Sequence, residues 1–214
     1  MKYRVFFIMA FICCCSSPKN ENWGTKEMKT IFTKEELNDI YNLVELFNKK
    51  VCDDPDDLGC YKLFYQINND HPVISTFELL DQDVFVAIDQ FIQKHPKTIW
   101  QMGTSHYYDI DKGIWLAQIT PETKIMLLYE FIPKDFEILA SSEKEIIEAG
   151  ILSGEGYLFY DAIYSEFDKN TLRRHDINLL IAVDALGAFY NYQLELEHGY
   201  DRYKPIKINF GAPY

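Results

Sequence analysis

The sequence lacks the motifs that mark several large functional classes. Its 214 residues include only ten glycines and five cysteines, and neither a phosphate-binding loop nor a dinucleotide-binding fingerprint occurs. Basic residues are also scarce, because 21 Lys and Arg stand against 33 Asp and Glu and give a net charge of -12. An acidic chain repels a phosphate backbone, so nucleic acid is not an expected partner.

Motifs for hydrolytic chemistry are absent as well. No two histidines have the four-residue spacing that places two zinc ligands on one face of a helix. No Gly-x-Ser-x-Gly nucleophile elbow occurs either. The sequence therefore predicts neither a metal site nor a cofactor. The five histidines are His71, His95, His106, His175 and His198.

One ionisable residue interrupts the most apolar stretch of the chain. Asp184 follows the run from Leu179 to Val183, and a buried carboxyl group must be paired, hydrogen-bonded or neutralised. Because perturbed acids cluster at active sites, Asp184 with His175 or His106 is a weak candidate for an acid/base pair. The favoured interpretation is structural: Asp184 lies on the one polar stripe of a helix or pairs with an arginine such as Arg173.

Apolar and aromatic residues are abundant, at 48% and 15%, as in soluble globular proteins with a substantial core. The capping box Thr33-Lys34-Glu35-Glu36 predicts a helix that continues to about Lys49. A second capping box at Ser75 predicts a helix that continues to His95. The longest periodic run, Leu172 to Glu197, follows Asn170 as the expected N-cap and predicts the central helix of the core.

The region from Thr98 to Phe131 has a different sequence pattern, which alternates as in strands and is rich in Ile, Trp and Tyr. Two turn signals divide it into strands of roughly Ile99 to Tyr108, Ile114 to Ile119 and Lys124 to Phe131. The predicted fold class is α+β: a mostly helical single domain with a small antiparallel three-stranded meander. In the long helix, Gly187 is expected to permit close helix packing.

The N-terminus carries a short export signal. Lys2 and Arg4 precede eight apolar residues, Val5 to Ile12, and three cysteines follow. Eight residues are too few to span a bilayer, which needs about 20, so this segment is expected to be removed.

This arrangement resembles a bacterial lipoprotein signal, in which a cysteine at the end of the apolar run is acylated and becomes the mature N-terminus. Cys15 fits that pattern best, because Cys14 supplies the small neighbour and Ile12 the aliphatic position. The resemblance covers about the first 20 residues and implies a palmitate-bearing lipid anchor in the cell envelope, on a periplasmic or surface-exposed membrane face. The alternative is an ordinary cleavable signal with incidental cysteines.

The predicted organisation is a signal peptide at 1–14, a flexible tether at 15–30 and one globular domain at 31–214. Removal of the signal leaves 19 Lys and Arg against 33 Asp and Glu, a net charge of about -14. Anionic membrane surfaces repel such a body, which is therefore expected to stand on its tether.

Two cysteines remain in the body, Cys52 and Cys60, and export places them where disulfides persist. The acidic segment between them, Asp53 to Gly59, reads as a turn, so we expect a disulfide between the two thiols. Two free buried thiols are the alternative. The spacing of the aspartates does not match a calcium-binding loop.

The expected function is non-catalytic binding. An acidic, anchored body suits capture of a basic protein, as in an envelope inhibitor or a toxin-immunity protein. The alternatives are an envelope hydrolase that uses Asp184 and a histidine, and a glycan-binding or glycan-processing lipoprotein whose exposed aromatic rings stack on sugars.

Overall fold

The computed structural model describes residues 23–52, 79–105, 113–131, 136 and 167–199. These residues form six helices and one two-stranded sheet, so the described part is mostly helical with a small antiparallel sheet and agrees with the α+β class. Their buried apolar side chains form one continuous cluster. The elements in chain order are α1 (Lys26–Ile31), α2 (Lys34–Val51), α3 (Gln82–Lys94), β1 (Gln101–Ser105), β2 (Ile114–Gln118), α4 (Ile125–Tyr129), α5 (Lys169–Leu172) and α6 (His175–Glu197).

Helix α6 is the central element, as the sequence predicts. It is buried on nearly every face from Asp176 to Asn191 and packs against α2, α3 and β2. A helix that is apolar all round is stable only inside a core, so the other described elements are arranged around it.

The capping box at the start of α2 is confirmed. The Thr33 hydroxyl accepts a hydrogen bond from the Glu36 N–H at 3.2 Å, and the Glu36 carboxylate accepts one from the Thr33 N–H at 2.7 Å. These bonds satisfy two N–H groups that lack partners within the helix.

The expected start of the long helix is wrong. Asp168, not Asn170, provides the cap, since its carboxylate accepts a hydrogen bond from the Thr171 N–H at 2.8 Å and starts the short helix α5. Arg174 then has an extended backbone, and α6 begins at His175.

Helix α3 also starts later than predicted. Leu79 and Leu80 lie in a bend, and Asp81 caps the helix through a bond from the Val84 N–H. The capping box at Ser75 lies outside the described residues.

The predicted third strand is wrong. Residues Ile125–Tyr129 form α4, and Ile125, Leu128 and Tyr129 are buried at helical spacing while Leu127 is exposed. The N–H groups of Lys124 and Ile125 donate to the carbonyls of Lys97 and Thr98, which favours a helix start at this point.

The other two predicted strands are present as β1 and β2, in shorter form, with Gln101 opposite Gln118 and Ser105 opposite Ile114. The outer edge of β2 is covered by a side chain. Asn191 of α6 accepts a hydrogen bond from the Ala117 N–H at 2.7 Å and donates one to the Ala117 carbonyl at 2.8 Å. The amide side chain thus takes the place of a neighbouring strand at this residue and blocks an exposed edge.

The predicted tether is too long at its C-terminal end. Trp23 is only 8% exposed, Met28 is fully buried, and α1 begins at Lys26. Residues 23–30 are therefore part of the folded body, because their apolar side chains pack into its core.

Candidate functional site

The described residues enclose a groove of about 710 Å³ beside the N-terminal half of α2. Its walls come from α1 with its flanking residues, from α2 and from the last residue of α3. This volume lies within the range of small-molecule sites, which combine apolar walls with a few polar groups. The apolar wall residues are Trp23, Phe32, Leu37 and Tyr41, and the polar ones are Lys29, Lys34, Glu35, Asn38, Asp39 and Lys94.

A charged cluster lies on one side of this groove. Glu35 and Asp39 are four residues apart on α2, so they share one helix face. The Lys94 ammonium lies 2.9 Å from a Glu35 oxygen and 2.6 Å from an Asp39 oxygen. His95 Nε2 lies 2.7 Å from the same Asp39 oxygen. The cluster links the first turns of α2 to the C-terminal end of α3.

The electrostatics of the cluster are those of a satisfied ion pair. Burial favours the neutral form of Asp39, but the hydrogen bonds from Lys94 and His95 outweigh it and lower the pKa of Asp39. The hydrogen bonds to Asp39 and Glu35 raise the pKa of Lys94. Both residues are therefore charged at neutral pH.

The ligand atoms of Glu35, Asp39 and His95 lie within 4.8 Å of one another, a spacing that a metal ion can bridge. The Lys94 ammonium already bridges the two carboxylates and balances one of their two negative charges. This arrangement explains the cluster without a metal.

His175 is used to hold the N-terminal segment in place. Its Nδ1 accepts a hydrogen bond from the Gly24 N–H at 3.0 Å, and its ring stacks on Trp23 with centroids 5.5 Å apart. Trp23 also meets Tyr41 edge-on at 5.5 Å. Burial lowers the pKa of His175 and outweighs the opposing charge of Asp176, which favours the neutral ring that this acceptor role requires.

Asp184 lies in the core, 3% exposed, in the middle of α6. Its Oδ2 atom has no hydrogen-bond partner among the described residues, and burial raises its pKa to about 7. Burial, with the Asp184 carboxyl as a further cause, raises the pKa of Tyr129. Burial thus moves the titration of Asp184 from the acidic range towards neutral pH, and Asp184 pairs with no arginine among the described residues.

The weak acid/base candidates do not meet in the described structure. Asp184 and His175 are nine residues apart on one helix, so about 13.5 Å separates them along the axis and their side chains point to opposite faces. Neither residue lines the groove. His106 lies outside the described residues, as does Cys15.

Gly187, one turn after Asp184, permits a close approach as expected, but to an indole instead of a helix. A Cβ atom at this position would lie 2.8 Å from Trp100 Nε1. Any larger residue would therefore displace the buried Trp100 side chain.

Cys52 is buried at the end of α2 and serves as its C-cap. Cys60 lies outside the described residues, so its pairing with Cys52 stays a prediction.

Sequence reasoning missed the groove and its charged cluster. The four-residue spacing of Glu35 and Asp39 was a usable signal for a shared helix face. The contribution of Lys94 and His95 had no local signal, because more than 50 residues separate them from Glu35 and Asp39.

No helix among the residues that the structure describes is both long and apolar enough to cross a membrane. No protein-family model, no curated protein and no solved structure shows significant similarity to this chain.

Proposed function

We propose that this chain is a lipid-anchored lipoprotein of a bacterial cell envelope that binds a basic protein without catalysing a reaction, as an inhibitor or an immunity protein does. The signal-like N-terminus with Cys15 supports the anchor. The excess of acidic residues supports a basic partner, since opposite charges steer association.

The observation that carries the proposal is the uneven distribution of charge along the chain. The described residues hold 15 Asp and Glu against 11 Lys and Arg, a net charge of only -4. The mature chain carries about -14, so most of its acid excess lies in the other segments. Asp53, Asp54, Asp56 and Asp57 form the densest acidic group among them. We place the contact with the basic partner on these segments.

The chemistry of the described polar residues supports binding over catalysis. His175 holds the N-terminal segment through Gly24, and Asp184 is enclosed by the core. The Asp39–His95 pair is bonded to Lys94 and links two helices. His175 and the Asp39–His95 pair therefore have structural tasks that explain their positions, and Asp184 has no access to the groove.

We also propose that Cys52 forms a disulfide with Cys60. The bridge would hold the acidic segment between them as a closed loop at the end of α2. In the chain-entropy model a loop this short stabilises the fold by roughly 2–3 kcal/mol.

Affinity capture tests the proposed function. The full-length protein, solubilised in detergent under non-reducing conditions, is immobilised and exposed to envelope and secreted protein extracts at several salt concentrations. We expect one basic protein to be retained in stoichiometric amount and to be released as salt rises, because screening weakens contacts between exposed charges.

A charge-matched pair of variants makes the test specific. The first replaces the four aspartates between Cys52 and Cys60 with asparagine and should weaken capture. The second neutralises four exposed acids elsewhere and should leave capture intact. Equal capture by both variants would contradict the assignment to the acidic segment, and no retained protein at any salt would favour the glycan or hydrolase alternatives. The control acids are Glu45, Asp83, Glu130 and Glu197.

A further inference from the structure

We infer that the end of the body that carries the groove faces the bilayer and that its lysine side chains and the partly exposed Tyr41 ring meet the headgroups of anionic phospholipids. The C-terminal end of α6 then points away from the membrane. This inference rests on the proposed lipid anchor at Cys15, and it adds a second interaction surface that is separate from the one proposed for the basic partner.

The short chain between the anchor and the body limits how far the groove can lie from the membrane. Trp23 follows Cys15 by eight residues, which span at most about 28 Å when fully extended. Trp23 lines the groove. The groove therefore stays within about 28 Å of the membrane surface in every orientation of the body.

Residues from Trp23 onward are packed into the body and cannot lengthen the tether. Trp23 packs between Tyr41 and His175, and the Gly24 N–H is bonded to His175. Met28 and Phe32 follow in the core, at 0% and 3% exposure. The tether consequently ends at Trp23. Pulling the following residues out of the body to lengthen it would expose three large apolar side chains.

Helix α6 is longer than the reach of the tether. His175, at its first turn, contacts the anchored segment, whereas Glu197 ends it 22 residues later. At 1.5 Å per residue these ends are about 33 Å apart, which exceeds the reach of the tether. An upright α6 with its far end against the bilayer would therefore need a fully extended tether, so the orientation with the groove end nearer to the bilayer is favoured.

The groove end carries side chains of the kinds found at membrane interfaces. Trp and Tyr with lysine side chains are typical of the layer between water and hydrocarbon, where rings and aliphatic stems are apolar and the polar groups meet headgroups. Of the Trp and Tyr residues in the groove walls, Tyr41 is partly exposed, whereas Trp23 is buried beneath it and holds the segment in place. It also carries three lysines against two acids, so the net charge of its lining is positive although the chain as a whole is strongly acidic. Anionic headgroups are therefore attracted to this end and repelled by the remainder of the mature chain.

Energy transfer from single labelled positions to an acceptor-labelled lipid tests this orientation. The full-length lipidated protein is reconstituted into vesicles of phosphatidylcholine with anionic phosphatidylglycerol. A fluorophore is attached at Thr30→Cys, on the exposed surface of α1, or at Glu197→Cys, at the far end of α6. Labelling is done without reductant, and peptide mapping verifies that only the new thiol carries the dye.

We expect donor quenching at position 30 to exceed that at position 197 by at least about twofold, because about 33 Å separates the two ends of α6. A flexible insertion of 20 Gly and Ser residues after Asn22 should remove most of this difference. Replacing phosphatidylglycerol with phosphatidylcholine should reduce quenching at position 30 while the protein still floats with the vesicles.

Equal quenching at both positions in protein that floats with the vesicles would overturn the orientation and leave the anchor intact. Quenching at position 30 that does not change without anionic lipid would overturn the headgroup contact. Protein that does not float with the vesicles would contradict the anchor itself, and the inference would fall with it.

Discussion

Two buried carboxylates in this molecule have opposite surroundings. Glu36, at the first turn of α2, accepts hydrogen bonds from the Thr33 N–H, the Thr98 hydroxyl at 2.8 Å and the Lys124 ammonium at 2.6 and 2.9 Å. Asp184, in the middle of α6, has an oxygen with no partner among the described residues. Both side chains are less than one-tenth exposed.

The pKa values record this difference. Burial alone would raise the pKa of Glu36, but the bonds from Lys124, Thr33 and Thr98 outweigh it and lower the pKa to about 2. For Asp184 burial is unopposed and raises the pKa to about 7. Burial therefore does not fix the ionisation of a carboxyl group, which depends on the donors that the fold brings to it.

The two groups make the stability depend on pH in opposite directions. The contribution of Glu36 is complete above about pH 4.5, its ordinary pKa, and is lost as the pH falls towards 2. Asp184 binds a proton more tightly in the folded state, so its destabilising effect is absent below about pH 3.8 and grows until about pH 7.

Removal of the main donor to Glu36 should cause the largest loss of stability. Lys124→Met leaves the buried carboxylate without its ammonium partner, and because the Lys124 side chain is itself 40% exposed, the loss should be about 2–3 kcal/mol, as for a lost hydrogen bond to a charged group. Urea denaturation at pH 7 measures the loss. Lys97→Met is the matched control, because its pair with Glu122 is more than half exposed, and it should cost no more than about 1 kcal/mol. Equal losses in the two variants would contradict the account of Glu36.

Neutralisation of Asp184 should remove a pH dependence of the stability that is opposite in direction to that of Glu36. Asp184→Asn should flatten the decline in stability between about pH 4 and 7, and it should raise the stability at pH 8 by at most about 4 kcal/mol, at about 1.36 kcal/mol per pKa unit. Denaturation curves at a series of pH values measure both effects. An unchanged pH profile would show that Asp184 is ionised and stabilised by partners outside the described residues.

Substitution next to Asp184 should have a smaller effect. Gly187→Ala places a methyl group against Trp100 Nε1, and overpacking of this kind typically costs about 1–3 kcal/mol. Thermal unfolding and the near-ultraviolet signal of Trp100 report the change. The double variant Gly187→Ala with Trp100→Phe should lose less stability than the sum of the two single variants, because the indole N–H that meets the methyl group is removed. A neutral Gly187→Ala would mean that the indole can move freely.

The sequence predicts those features that depend on residues close to one another along the chain. The capping box at Thr33, the central position of α6 and the first two strands all follow from local spacing, and each is present. The partners Thr98 and Lys124 of Glu36 were not predictable, since 62 and 88 residues separate them from it.

Local patterns failed where tertiary contacts decide the structure. The apolar segment at 125–129 has enough Ile, Leu and Tyr for a strand, but carbonyls at Lys97 and Thr98 accept its first N–H groups and a helix forms. Trp23 and Met28 follow a polar tether, yet Trp23 packs against Tyr41 of α2 and His175 of α6, and Met28 is fully buried. For Asp184 the sequence identified an unusual residue, but only the fold shows that one of its oxygens has no partner among the described residues.

The lipid anchor is the claim on which the proposed function and the membrane-facing orientation both depend. Cells that express the full-length chain are supplied with labelled palmitate, and the label in the purified protein is measured for the original sequence and for Cys13→Ala, Cys14→Ala and Cys15→Ala. We expect the label in the original chain and in the first two variants and its loss in Cys15→Ala alone. Label that persists in Cys15→Ala would contradict the assignment to that residue, and an original chain without label would contradict the anchor.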